Sequence, residues 1–308
     1  MSEEPKKTRT DKYAIEDQEI EITEIEETPK GHPVLSKILL TLGILLIVFY
    51  IYSFIICPNT LKINEYKVAS NILPNSFHGL KIVHFADLHY GTTINKKQLD
   101  KTIEKINEIK PDIIFFTGDL IDKNIVATED VQKEIIESLK NLNASLYKYA
   151  VIGNEDDNEL FNKIMKEVDF KVLNNESTLL YYKDKKPIVI TGFNNTDSNP
   201  DYSKLNEKID DIDPTNLYHI VLFHEADSID NILDYNPNLV LSSGTLGGKI
   251  KIIKPLFLPA TADKYYEEHY KINDTEFYIS NGLGTTGVNL RFNNKPSFNF
   301  YRLYKEEN

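Results

Sequence analysis

Four short stretches of this chain carry side chains that can hold a divalent cation. "ADLHYG" offers Asp87 and His89, "GDLID" offers Asp119 and Asp122, "GNEDD" offers Asn154, Glu155, Asp156 and Asp157, and "FHEAD" offers His224. Carboxylates, imidazoles and an amide oxygen together make a hard-to-borderline donor set, suited to Mn, Mg, Fe or Zn. Read one at a time they say little. Asp-x-His also closes solvated turns, Gly-Asp is ordinary turn chemistry, Asn154 suits a left-handed turn, and His224 suits a satisfied core position. Their weight comes from a shared context: each follows an apolar run.

Those runs read as strands. "LKIVHFAD" (80–87), "DIIFFTGD" (112–119) and "LYKYAVIGN" (146–154) are expected to be buried strands, with helices over 96–110, 128–142 and 159–168. The spacing of Leu99, Ile103 and Ile106 gives the first helix one apolar face, and Thr128 is a cap for the second. Strand–helix alternation predicts a partly parallel sheet with helices on its outer face. The second half is richer in strands, at 187–193, 217–224, 238–243, 275–280 and 298–304. They are enough for a second sheet packed on the first. Ligands of open α/β sheets sit beyond the carboxyl ends of strands, and all four stretches fall there.

The remaining sequence sets the surroundings. Residues 1–33 hold ten acidic and five basic side chains and few apolar ones, so a disordered tail is expected. Residues 34–57 carry no charge from Ile38 to Cys57, enough to cross a bilayer as a helix. They lack the polar face of a soluble core helix. The long acidic preface, with no small-residue cleavage site after the run, does not fit a removed signal. Lys30 and Lys37 precede the run and Lys62 and Lys67 follow it, so flanking positive charge does not decide its orientation. Residues 58–308 form the globular domain. The formal charge of −12, with no basic patch, makes nucleic acid an unexpected partner. The expected partners are the bilayer, through residues 34–57, and a phosphate-containing small molecule or lipid. The single cysteine, Cys57, excludes an internal disulfide, and the bulky Ile56 before it does not suit a lipid-modified residue. "GLGTTG" (282–287) matches a dinucleotide fingerprint, but no helix pattern and no acidic residue follow as that site requires.

Together, "GLKIVHFADLHYG", "FFTGDLID", "GLGTTG" and "LRFNNKPSFNFYRL" resemble, in order, the calcineurin-like metallophosphoesterases, and most closely their bacterial membrane-anchored subgroup. The resemblance implies an α/β four-layer sandwich of two mixed β-sheets flanked by helices, preceded by one transmembrane helix. It implies a two-metal site that hydrolyses phosphate esters. Asp87 and His89 would hold one metal, Asn154 and His224 the other, and Asp119 both, with Asp122 in support. A single-pass protein of the cell membrane, its domain on the extracytoplasmic side, would follow.

Three positions depart from that family. Its Gly-Asn-His reads "GNE", so Glu155 replaces the histidine that helps the leaving group. Its Gly-His-x-His-Gly-Gly reads "SGTLGG" at 243–248, so Gly244 and Leu246 replace two metal-binding histidines. Lys249 follows where a neutral amide is usual. It is either a surface lysine or an ammonium that substitutes for lost metal charge near Asp87 and Asp119. His269 is the spare imidazole worth naming as a replacement ligand. The expectation is one weakly held divalent ion or none rather than two, in a catalytically weak or inactive pseudoenzyme that binds a ligand or partner. The alternative is an active metal-dependent phosphoric ester hydrolase in which Glu155 serves as an extra ligand.

Overall fold

The structure, a computed structural model, describes residues 33–194, 201–252, 254–259 and 262–307. The tail expected to be disordered lies outside the described residues up to position 32. The chain divides into two compact units, Met1–Leu46 and Ile47–Asn308.

The first helix, α1 (Pro33–Ile51), begins a largely apolar stretch, Val34–Asn59, of 26 residues, in which an 18-residue window has a mean hydropathy of 2.6. That is long and apolar enough to span a bilayer. Residues from Ile47 onward, including the end of α1, belong to the second unit. Within the second unit, the Phe49 and Tyr52 rings lie 5.2 and 5.4 Å from that of Phe292, and Ser53 and Cys57 are fully buried.

In chain order follow β1 (Lys62–Ser70), β2 (Lys81–Phe85), α2 (Lys96–Ile109), β3 (Ile113–Phe116), α3 (Glu129–Leu139), β4 (Tyr147–Ala150), α4 (Asn158–Glu167) and β5 (Lys171–Val172). The second half holds β6 (Glu176–Leu180), β7 (Ile188–Gly192), β8 (His219–Glu225), β9 (Leu239–Ser243), β10 (Ile250–Lys251), β11 (Pro255–Leu256), β12 (His269–Ile272), β13 (Thr275–Ile279) and β14 (Ser297–Lys305). Among the described residues these make two six-stranded sheets and one ribbon, β10–β11. The first sheet runs β1-β14-β2-β3-β4-β5, parallel from β2 to β5, with β14 antiparallel to β2. The second runs β12-β13-β9-β8-β7-β6, parallel from β13 to β7 with antiparallel edges. Both sheets are mixed, as the fold class requires.

Alternation along each strand sorts side chains between layers. On β2 and β3, Val83, Phe85, Ile114 and Phe116 face the helices, where Leu99, Ile103 and Ile106 of α2 meet them. Ile82, Ile113 and Phe115 point the other way, into a core shared with Ile190, Ile220, Leu222 and Leu241 of the second sheet. Each such side chain, fully buried, contributes about 1.5–3 kcal/mol, so the two sheets are firmly clamped. The fourth layer is helical as expected, though of 3₁₀ type. Short 3₁₀ turns such as Ala226–Asn231 and Leu233–Tyr235 cover the second sheet, burying Phe223, Ile229, Ile232 and Phe277.

Several expected elements are shorter in the structure, the strands over 80–87 and 112–119 among them. The helix over 128–142 ends at Leu139. The strand over 146–154 ends at Ala150, because the chain leaves the sheet to meet the ligand loops.

Candidate metal centre

The ligand residues sit where β2, β3, β4 and β8 end. Three occupy left-handed backbone: Asp87 at φ 52°, His89 at 41° and Asp119 at 58°. Such conformations are uncommon outside glycine and persist where surrounding bonds over-determine them. Here Asp87 N donates to Gly118 O (2.9 Å) and His89 N to Asp119 O (3.1 Å). The Asp156 carboxylate accepts from Asp119 N (2.8 Å), Leu120 N (2.7 Å) and Gly153 N (2.9 Å), binding the β3 loop to the β4 loop. Burial, with the Asp119 charge added, pushes the Asp156 carboxyl up to about 6 despite those three donors.

Asp119 is the centre. Its Oδ2 lies 3.3 Å from His224 Nε2 and 3.7 Å from His89 Nε2, and its Oδ1 accepts from Glu155 N (3.1 Å). Asp87 Oδ1 lies 3.9 Å from His224 Nε2, and Gly244 N approaches Asp87 Oδ2 at 3.4 Å. Glu155 Oε2 lies 3.6 Å from His89 Nδ1, while its Oε1 pairs with Lys123 Nζ at 2.5 Å. The ligand atoms thus form two groups that share Asp119: Asp87–Asp119–His224 and His89–Asp119–Glu155, each within 4.8 Å. The family resemblance groups Asp87 with His89 and His224 with Asn154 instead. Asn154 is exposed and lines the cavity above. Asp122 is buried, accepting from Asn124 N (2.9 Å), with its other oxygen 4.0 Å from His89 Nδ1.

His224 is aimed by the core. Its Nδ1 donates to the Thr117 carbonyl (2.6 Å), which leaves Nε2 facing the carboxylates. The Thr117 hydroxyl lies 2.8 Å from both Ser243 Oγ and His84 Nε2, so a hydroxyl relay braces the ring from behind. Burial opposes charge on His224, but the Asp119 and Asp87 carboxylates outweigh it and raise its pKa to about 10. Burial pushes Asp87 up to about 7 and lowers His89. Burial would also raise Asp119, yet His224 and His89 hold it below its ordinary value.

The donor atoms fit a divalent metal. Among the described residues, Asp87 Oδ1, both ring nitrogens of His89 and Glu155 Oε2 are buried without a hydrogen-bond partner. Buried polar atoms are normally satisfied, and a cation would satisfy these together. Oxygen and imidazole donors with no thiolate suit Mg, Mn, Fe or Zn.

The site opens into a cavity of about 680 Å³ lined by His89, Asp119, Asn154 and Glu155 and, opposite, by Gly244, Leu246 and Lys249. The "SGTLGG" turn keeps its backbone without the imidazoles. Gly244 has φ 75°, and a Cβ there would lie 2.9 Å from His224 Nε2. Leu246 is buried at φ 54°, its carbonyl accepting from Asn294 Nδ2 (2.6 Å). Lys249 donates to the Thr286 carbonyl (2.7 Å), and its ion pairs with Asp87 or Asp119 are absent among the described residues. His269 is on β12, exposed, bonded to Glu276 (2.7 Å) and stacked on Tyr278, and is not among the cavity-lining residues.

Sequence reasoning passed over two cations. Lys123, four residues after Asp119, neutralises part of Glu155. Arg291 is fully buried, donating to the carbonyls of Asn281, Gly282, Gly284 and Asn294. Burial lowers it to about 10, against the pull of Asp87. A lone arginine in the apolar context of "NLRF" was the available signal; the Lys123–Glu155 pairing left none.

Residues 80–253 match the calcineurin-like phosphoesterase model, more than half of the chain. The chain belongs to the calcineurin-like phosphoesterase family. Among relatives of this chain, "Uncharacterized metallophosphoesterase YkuE" of Bacillus subtilis (strain 168) is 33% identical over 82% of this chain and 89% of its own length. A "Transmembrane protein with metallophosphoesterase domain" of Danio rerio is 23% identical over 79% of this chain, which spans 57% of that protein. The solved NAD nucleotidase (NadN) of Haemophilus influenzae matches 67% of this chain and 45% of its own at 14% identity, with a TM-score of 0.42. The phosphoesterase family is divalent-metal dependent, and the apolar stretch with transmembrane relatives points to membrane anchoring.

Proposed function

We propose that this phosphoesterase site binds phosphate esters through a divalent cation and hydrolyses them slowly. Asp87, Asp119 and His224 would hold the better-bound ion; His89 and Glu155, with Asp119, form a weaker second group. A cation held there would supply Lewis-acid polarisation of the phosphoryl group. The observation that carries the reading is the Glu155 carboxylate. One oxygen is neutralised by Lys123 and the other turns in toward His89, which suits a ligand rather than a repellent anion. The same pairing places the Glu155 carboxylate as a ligand and not in the role of the family histidine that helps the leaving group. Missing general-acid help costs about 10²–10⁴-fold, so activity is low but metal-linked. This favours the attenuated hydrolase over an inert pseudoenzyme.

The test is elemental analysis of the purified protein together with Mn²⁺-dependent hydrolysis of a nitrophenyl phosphodiester. Slow turnover that vanishes with chelation is the expected outcome. No retained divalent ion and no binding of inorganic phosphate would overturn the reading. The domain is proposed to face outward with residues 1–33 cytoplasmic. Protease added to intact cells should then digest it, and protection until lysis would reverse that orientation.

A further inference from the structure

The cavity has two chemically different walls. Facing the ligand cluster are Leu246, Phe257, Leu258, Pro259, Val288 and Leu290. Phe257 and Val288 are 68% and 59% exposed. Large apolar side chains left open at the mouth of a cavity mark a binding surface more often than chance.

This wall is bonded to residues 49–53, the part of the apolar stretch that lies in the second unit. Lys251 N donates to Phe292 O and Phe292 N to Lys249 O (both 2.9 Å), which joins the β10–β11 ribbon, and so Phe257 just after it, to the 288–293 loop. On its other side the Phe292 ring packs against Phe49 and Tyr52. The Tyr52 hydroxyl donates to Asn293 Oδ1 (3.2 Å), and Arg291 N donates to Ser53 O (3.0 Å). Within the second unit, the apolar wall is thus tied to residues 49–53 of the stretch that is apolar enough to cross a bilayer.

We propose that the site takes a membrane-resident amphiphile: a phosphate ester whose head reaches the Asp119 cluster and whose hydrocarbon chain lies along Leu246, Phe257 and Val288. This deepens the phosphoester reading and rests on it. It also gives Leu246 a role, since leucine carries the apolar lining down to the ligands where an imidazole would interrupt it.

The test uses the full chain in dodecyl maltoside, a detergent without phosphate, loaded with Mn²⁺. The probe is lysophosphatidic acid with a diazirine in its acyl chain. Crosslinks are expected on Phe257–Pro259 and Val288–Leu290, suppressed by excess inorganic phosphate and lost in the Phe257→Asp, Val288→Asp double variant. On the unmodified protein, octyl phosphate should displace the probe at least about 50-fold more effectively than methyl phosphate, because buried methylenes each add severalfold to affinity. Equal potency of the two esters, or crosslinks confined to residues 34–56, would overturn the lipid inference while leaving phosphate binding intact. Calorimetry with inorganic phosphate separates the two readings: no binding there defeats the phosphoester reading itself.

Discussion

Asp119 and Leu246 line one cavity from opposite sheets and are held in unlike ways. Asp119 follows β3 and is bonded through every polar group: its N–H to Asp156, its carbonyl to His89, its carboxylate to Glu155 N and beside His224. Leu246 follows β9 in an equally left-handed conformation, but only its backbone is tied, through Asn294. On the first wall side-chain chemistry and loop geometry depend on each other, so neither can drift alone. On the second wall the turn is kept by glycines and Asn294, and the side chain at its tip is free to change. A histidine can therefore be lost there without loss of the fold.

The sharpest way to break this contrast is to remove one anchor on each side. Asp119→Asn is expected to abolish ion retention and lower any hydrolysis by about 10³-fold or more, since a metal supplies several kcal/mol of charge stabilisation. Lys249→Met, on the other wall, should change the rate by less than about tenfold, because its ammonium is engaged with Thr286. Parallel measurement of bound metal and turnover decides it; comparable losses in both variants would erase the distinction.

Asp156→Ala probes the loops without touching a ligand. It strands three backbone N–H groups, each costing about 1 kcal/mol or more, so unfolding should weaken by about 3 kcal/mol. For a domain of this size that is a fall in Tm of about 6–12 °C. Leu246→Ala, at a cavity surface, should cost about 2 kcal/mol, the low end for buried leucine. Thermal melts of the two proteins compare the walls directly.

The legible part of the site was local. Asp87, His89, Asp119 and His224 were readable because each lies just past an apolar run, and strand ends are where such ligands collect. The full set of contacts around Asp119 was not readable. It depends on left-handed φ values and on Asp156, whose bonds to Asp119 and Leu120 cross 37 and 36 positions of sequence and leave no periodic trace. The apolar wall was equally hidden, since Phe257 and Val288 come from irregular segments. For the fold, the central strands were legible from buried runs. The edge strands β1 and β12 are largely exposed or half-buried and gave weaker signals. The helical outer layer expected over the second sheet is built of 3₁₀ turns whose sequences carry no helical period.

Restoring histidines tests whether the second wall still has room. Glu155→His with Leu246→His is expected to raise Mn²⁺-dependent hydrolysis by about 10–100-fold, part of what general-acid help is worth. Leu246 already occupies φ 54°, so histidine there adds little new strain. Adding Gly244→His should cancel the gain. Its Cβ would crowd His224, whose ring is pinned by Thr117, and its backbone sits at φ 75°. A further gain from the triple variant would show that the turn can open, and that the two walls are less different than they look.

The smallest effect concerns buried histidines, which extend the contrast to charge. His224, beside two carboxylates, is raised to about 10, whereas burial with hydroxyl partners lowers His219 to about 4 and His84 to about 3. His219, at the start of β8, bonds Thr191 Oγ1 (2.7 Å). In the unfolded chain it titrates near 6.5, so below that pH the unfolded state takes up a proton that the folded state refuses. Its contribution to stability is therefore complete above about pH 6.5 and is lost as pH falls toward about 4. The slope is about 1.4 kcal/mol per pH unit. Raised carboxylates such as Asp87 and Asp156 act in the opposite sense, so the whole-protein curve would hide this. The difference in unfolding free energy between the metal-free parent and His219→Gln isolates it. That difference should shrink by about 1 kcal/mol between about pH 6.5 and 5.5. A difference independent of pH would mean that His219 is charged or solvated in the folded protein, and that the core behind the second wall is less tight than its burial implies.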